Sequence, residues 1–184
     1  MLQTERLDHK DQAVATSIHR ILALAYAQEA QLLQIQNGGE FEQTPEEIRE
    51  SDQVFIGASR DGVLLGLVSL VQDEEPNQIC ISVLVVHPEH QRQGIARALV
   101  VYTLAQAEGA VFSVVAATSN LPAQALYRSL GFVEYRRGTM GANALEVVKL
   151  RARSNPSLKR TRTGMPLQAV ISFSALRVLP ARAA

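Results

Sequence analysis

The sequence predicts one α/β domain, a mixed sheet covered by helices on both sides. Three observations carry this reading: a helical apolar period near the N-terminus, three consecutive strand-like segments in the middle, and a helix–strand alternation after them. A chain of 184 residues suits a single domain with a real core.

The elements follow in order. From Asp11 to Leu33, Val14, Ile18, Ile21, Leu22 and Ala25 recur at three- and four-residue steps, which predicts a helix. Gly38-Gly39 breaks the pattern. Thr44-Pro45-Glu46-Glu47 has the form of a helix start, with Thr at the N-cap, Pro at N1 and Glu47 at the capping-box position. This short helix is expected to end near Ser51. Gln53–Ser59 reads as a strand, Asp61-Gly62 as a hairpin turn and Val63–Val71 as the returning strand. Glu74–Asn77 reads as a second turn. Gln78–Val86 follows, apolar nearly throughout, and such a run predicts burial on both faces. These three strands are expected to be antiparallel.

Gly94–Glu108 is predicted helical, with Ile95, Ala98, Leu99, Tyr102 and Leu104 or Ala105 on its apolar side and Gly109 as its stop. Val111–Ala116 is a short strand, Pro122–Leu130 a helix ended by Gly131, and Phe132–Arg136 and Ala144–Leu150 begin the last two strands. A short strand at Thr4–Leu7 could precede the whole. The domain is expected to span 1–153. Residues 154–184 form a tail whose first part has a linker composition, and Leu167–Leu179 could make an accessory strand or short helix.

Composition narrows the function. Apolar residues make up 47% and charged residues 20%, a soluble balance, and no apolar run is long enough to cross a membrane. The N-terminus has no apolar h-region, so the expected compartment is the cytoplasm. Cys80 is the sole cysteine, which excludes an internal disulfide and a cysteine-based zinc cluster; its apolar strand suggests an inert core thiol. Charge is uneven. From Arg151 onward there are seven Lys/Arg and no Asp/Glu, leaving 11 basic and 18 acidic residues in 1–150. An acidic body disfavours nucleic acid and suits a cationic small molecule or a free amine.

The chemistry-bearing segment is Gln91-Arg92-Gln93-Gly94-Ile95-Ala96. It follows an apolar strand and opens a helix. A helix start exposes unpaired N–H groups and a partial positive charge, which suits phosphate. Gly94 and Ala96 leave room for a close approach, and Arg92 adds charge. The spacing is neither GxxxxGK[ST] nor GxGxxG, so it is not a nucleotide P-loop or a Rossmann fingerprint. His87 and His90 flank Pro88 with no third ligand evident, so they read as loop residues and no metal is expected. Downstream come Asn120-Leu121-Pro122-Ala123, then Tyr127, then Gly131-Phe132.

Together these motifs, V-x-P, Q-x-x-G-x-A, N-x-x-A-x-x-x-Y and GF, resemble the GNAT superfamily of acyl-CoA-dependent N-acyltransferases. The resemblance covers about Gln53 to Leu150. It implies a mostly antiparallel sheet of six to seven strands and acetyl-CoA as co-substrate. Backbone groups of Leu84, Val85 and Val86 would then pair with the pantetheine arm, the Val86 N–H facing the thioester carbonyl. Gln91, Arg92, Gln93, Gly94, Ile95 and Ala96 would hold the pyrophosphate. Asn120, Ala123 and Tyr127 would complete the cofactor site, with Tyr127 as general acid for the departing thiolate. Relatives carry a Glu on the strand before the turn, but Ile81-Ser82-Val83 offers none. Glu29, with Tyr26 one turn earlier, is the substitute as base or acceptor contact. The resemblance implies transfer to a small-molecule amine. Peptide or protein N-acetylation and an idle acyl-CoA sensor are the alternatives, and a homodimer through C-terminal strands is open.

Overall fold

The computed structural model describes residues 1–32, 43–73, 75, 77–141 and 144–154, with the side chains of 29–32 excepted. The Gly38-Gly39 break, part of the Glu74–Asn77 turn and the tail from 155 onward lie outside the described residues. The elements are β1 (Gln3–Arg6), α1 (Gln12–Leu32), α2 (Pro45–Glu50), β2 (Val54–Arg60), β3 (Val63–Gln72), β4 (Gln78–Val86), a single 3-10 turn (Pro88–His90), α3 (Ile95–Gln106), β5 (Val111–Ala117), α4 (Leu121–Ser129), β6 (Val133–Met140) and β7 (Leu145–Arg153). The strands form a seven-stranded sheet in the order β1-β2-β3-β4-β5-β7-β6. Both the mixed α/β class and the order of elements agree with the sequence reading.

The described residues divide into two compact units, one drawn from 1–70 and 83–103, the other from 71–82 and 104–154. In the first unit, β1 and β2 pair antiparallel, as do β2 and β3. Asp61 and Gly62 both have positive φ, 53° and 79°, the backbone that a two-residue hairpin with native twist requires. One core cluster joins Ala15, Ile18, Ile21 and Leu22 of α1 to Ile48 of α2, Phe55 of β2 and Leu67 of β3. Each of the larger side chains, fully buried, contributes about 1.5–3 kcal/mol. The capping box of α2 is complete: Glu47 N–H donates to Thr44 Oγ1 at 3.2 Å, and Thr44 N–H donates to Glu47 Oε2 at 2.8 Å. His9, which the sequence reading passed over, is buried. It bonds the Ser51 carbonyl through Nε2 at 3.1 Å and lies 5.2 Å from the Phe55 ring.

In the second unit, β4 and β5 run parallel, while β5–β7 and β6–β7 are antiparallel. Ile79, Ile81, Phe112, Val114, Val148 and Leu150 are buried there.

Two expectations need correction. The apolar run of β4 is not buried along its whole length. Gln78, Ile79 and Ile81 are buried, but Ser82 is exposed and Val83–Val86 are only half-buried. The cause is the neighbouring ladder: the β4–β5 register covers only Gln78↔Val111 to Ile81↔Val114. The inner face of α3 is also different. Tyr102 is half-exposed, and Thr103 is fully buried, its hydroxyl donating to the Leu99 carbonyl at 2.8 Å. A hydroxyl that bonds its own helix backbone can be buried without an outside partner.

Candidate active site

The first unit holds the end of β4 and the turn after it. His87 N–H donates to the Leu65 carbonyl of β3 at 2.8 Å. Successive peptide groups in a strand alternate between its two edges, so those of Val86, and of Leu84 two residues back, face away from β3. On that edge the β4–β5 register has already ended, and Leu84 and Val86 have no ladder partner there among the described residues. The Val86 carbonyl takes Gln91 Nε2 at 3.4 Å. Close approach of β3 to β4 is enforced at Gly66, where a Cβ would lie 2.8 Å from the Val85 carbonyl oxygen.

The turn that follows is unusual in its backbone. Arg92 has φ 61° and Gly94 has φ 79°. The left-handed region costs an ordinary side chain about 1–2 kcal/mol, so Arg92 holds strain of the kind that collects at functional sites. Alternating left-handed residues also turn successive N–H groups to one side, forming an anion-binding concavity. The first helical bond of α3 is Ala98 N–H to Gly94 C=O at 3.0 Å, so the Ile95 and Ala96 N–H groups have no acceptor within their own helix. Gly94, the residue before the helix, has no side chain to cap with, and a Cβ there would meet nothing within 4 Å. The place is open as well as polar. Gln91, Arg92, Gln93 and Gly94 are exposed, Ala96 is half-buried, and Ile95 is buried, so Ile95 can offer only its backbone.

Helix α1 reaches this turn. Gln91 Nε2 donates to Gln28 Oε1 at 2.7 Å, a bond the sequence reading missed because 63 positions separate the two residues. Tyr26, two residues before Gln28, is half-buried and packs on the core cluster, as do Val83 and Val85. Glu29 follows Gln28 on the helix; its side chain lies outside the described part.

In the second unit Tyr127 is 4% exposed, its ring 5.2 Å from Phe132 in an edge contact. Burial pushes its phenol well above the ordinary value, and the neighbouring Cys80 adds to the shift. Tyr127 is therefore protonated at any pH near neutral and able to donate. Cys80 is half-buried and lies on the Tyr127 side of β4 rather than in a sealed core. Asn120 is the N-cap of α4: its Oδ1 accepts from Ala123 N–H at 3.1 Å. One Asn120 carbonyl oxygen and one Ala123 N–H thus serve the helix. The cap draws on the Asn120 oxygen rather than on its amide nitrogen.

The unit also contains polar groups that sequence patterns did not signal. Asp73 is buried and accepts the Ser113 hydroxyl and the Glu75 N–H. Gln78 donates to the Glu75 carboxylate, while its Oε1 and the Tyr135 hydroxyl are buried with no partner among the described residues. An open pocket of about 500 Å³ is lined by Gln78, Val133, Tyr135 and Arg151 among others. The Arg151 guanidinium sits 4.8 Å from the centre of the Tyr135 ring.

A left-handed turn at an uncapped helix start is able to hold an anion. The class defined here is an acyltransferase fold. The acetyltransferase (GNAT) family profile matches residues 17–132, and the chain belongs to that family. Among curated proteins, the UPF0157 protein YqkA of Bacillus subtilis is 33% identical over 129 residues, 70% of this chain, and the match spans only 37% of that longer protein. Solved structures agree on the fold. The ribosomal-protein-S18-alanine N-acetyltransferase of Escherichia coli is 17% identical, with TM-score 0.61 over 84% of this chain and 94% of that one. A spermidine N-acetyltransferase SpeG chimera from Vibrio cholerae and hSSAT is 19% identical, with TM-score 0.64 over 86% and 99%. The PaiA N-acetyltransferase of Thermoplasma acidophilum, in complex with coenzyme A, is 14% identical, with TM-score 0.59 over 81% and 98%.

Proposed function

We propose that the protein is an acetyl-CoA-dependent N-acetyltransferase that acts on a primary amine of a small molecule. The observation that carries this reading is the turn from Gln91 to Ala96, with Arg92 and Gly94 left-handed and the first α3 N–H groups unbonded in their helix. Such a turn fits the pyrophosphate of a CoA donor, and Arg92 adds positive charge. The open-edge peptide groups of Leu84 and Val86 suit the amide-rich arm, which would add to the strand as a peptide would. A donor carbonyl at the Val86 N–H would be polarised there. The Asn120 amide nitrogen is available to the same arm. Acetyl-CoA supplies an activated thioester.

The amine nitrogen attacks the thioester carbon, the new C–N bond forms and the C–S bond breaks. Tyr127 gives its proton to the departing sulfur, its phenol being protonated near neutral pH. The amine loses its own proton to water or to Glu29, whose helix is tied to the turn through Gln28. The surplus of acid in residues 1–150 supports a cationic acceptor. A peptide amine is the second reading, favoured by the fold likeness to an enzyme whose substrate is a ribosomal protein.

The test is acetyl-CoA turnover, followed by thiol release, across polyamines, amino acids, amino sugars and short peptides. We expect turnover with at least one small amine. Binding of acetyl-CoA with no acceptor in the panel would favour a sensor, and peptide-only turnover would favour the second reading.

A further inference from the structure

The 3-10 turn between β4 and the cofactor turn carries a grouping that the proposed acyl transfer does not use. One ligand atom from each of His87, Glu89 and His90 lies within 4.8 Å of the other two. Sequence inspection found two histidines and no third ligand; the missing one is Glu89, brought round by the tight turn. The two imidazole rings lie 5.5 Å apart at 50°. We propose that these three side chains form a binding site for a divalent first-row transition ion such as Zn²⁺, with water filling the remaining positions.

The ligand chemistry is apt. Two imidazoles and a carboxylate form a three-ligand set that suits zinc, and bonds of about 2.0–2.2 Å put tetrahedral ligand atoms about 3.3–3.5 Å apart. Small rotations of the exposed Glu89 and the half-buried His87 and His90 close the gap from 4.8 Å. The scaffold is held before any ion arrives. His87 N–H is bonded to Leu65 of β3, His90 N–H to the His87 carbonyl at 2.8 Å, and Gln91 N–H to the Pro88 carbonyl at 3.4 Å. The Gln91 side chain ties the far end to Gln28 and Val86. Pro88 fixes the first residue of the turn. The ligand groups are hardly committed elsewhere. His87 Nδ1 accepts one long bond of 3.3 Å from Glu89 N–H, and Glu89 has no ion pair among the described residues. Hard ions are poorly served by two imidazoles, so Mg²⁺ and Ca²⁺ should be refused.

The site uses none of the residues assigned to the cofactor, so its test does not depend on that assignment. The untagged full chain, without acetyl-CoA, is titrated with Zn²⁺ by calorimetry and with Co²⁺ by visible absorption. One equivalent of each should bind, with Mg²⁺ unable to compete. The protein has four histidines, so their imidazole resonances give a second readout, and only two, those of His87 and His90, should shift with Zn²⁺. His87→Ala and His90→Ala should each weaken binding about tenfold or more, while Cys80→Ser should leave it unchanged. The proposal fails if the wild type takes up no Zn²⁺. It also fails if the shifting resonances belong to His9 or His19, or if the double variant, folded by circular dichroism, binds as the wild type does.

Discussion

Helices α4 and α3 begin in opposite ways. At α4, Asn120 lends its side-chain oxygen to Ala123 N–H and Pro122 follows, so the start is satisfied by the chain itself. At α3, Gly94 can lend nothing, and the residues before it adopt a backbone that few sequences tolerate. Buried backbone donors must find a partner inside the protein, whereas those at the exposed start of α3 stay open to water or to a ligand. The difference teaches that one start is closed by its own side chain and the other is left open. A sequence read alone ranks both starts as cofactor contacts. The structure separates the open start from the capped one.

The comparison can be broken or sharpened by substitution. The largest effect is expected at Tyr127, on the helix with the satisfied start. Tyr127→Phe should lower kcat by about 10²–10⁴-fold with acetyl-CoA affinity retained, the range for removing a general acid. Unchanged turnover would leave Tyr127 a packing residue against Phe132. Next comes Gly94→Ala. A Cβ there meets no neighbour, so packing is spared, but the left-handed φ costs about 1–2 kcal/mol. We expect roughly tenfold weaker acetyl-CoA binding as the turn relaxes. If KM stays put while the melting temperature falls, the open start of α3 is structural.

Asn120 tests the other side. Asn120→Ala should cost about 1 kcal/mol of stability, as loss of a cap does. Asn120→Asp restores the cap but removes the amide donor, so stability should return while the KM for acetyl-CoA rises several-fold. Full recovery of both would confine Asn120 to capping. The smallest effect concerns His9. Burial lowers its pKa below the ordinary 6.5, so the fold prefers the neutral ring. Its contribution to stability is complete above that ordinary value and is lost as pH falls through the lowered folded one. Thermal melts of wild type and His9→Gln between pH 7.5 and 5 should converge on acidification. Parallel curves would mean His9 is not part of the acid response.

Legibility was high where causes are local. The Asp61-Gly62 turn, the Thr44–Glu47 capping box and the Gly-terminated helices depend on a few adjacent residues, and each appears where the letters put it. The Gln91–Ala96 segment was legible as a turn that opens a helix, because a Gly beside polar residues marks such a turn locally. The half-exposure of Val83–Val86 was not, since it depends on where the partner ladder with β5 stops. Nor was the full burial of Thr103 beside a half-buried Tyr102, because a threonine can satisfy its hydroxyl on its own helix.

By itself the sequence determined the order of elements, the family and the stretch where a phosphate could sit. Those depend on periodicity, caps and turns, which act over a few residues. Only the tertiary structure decided that Gln28 meets Gln91, that Glu89 joins His87 and His90, and that the Tyr127 ring is buried against Phe132. Each of these is a matter of distance and of excluded water, set by how segments far apart in the chain, or turned tightly on themselves, come to pack.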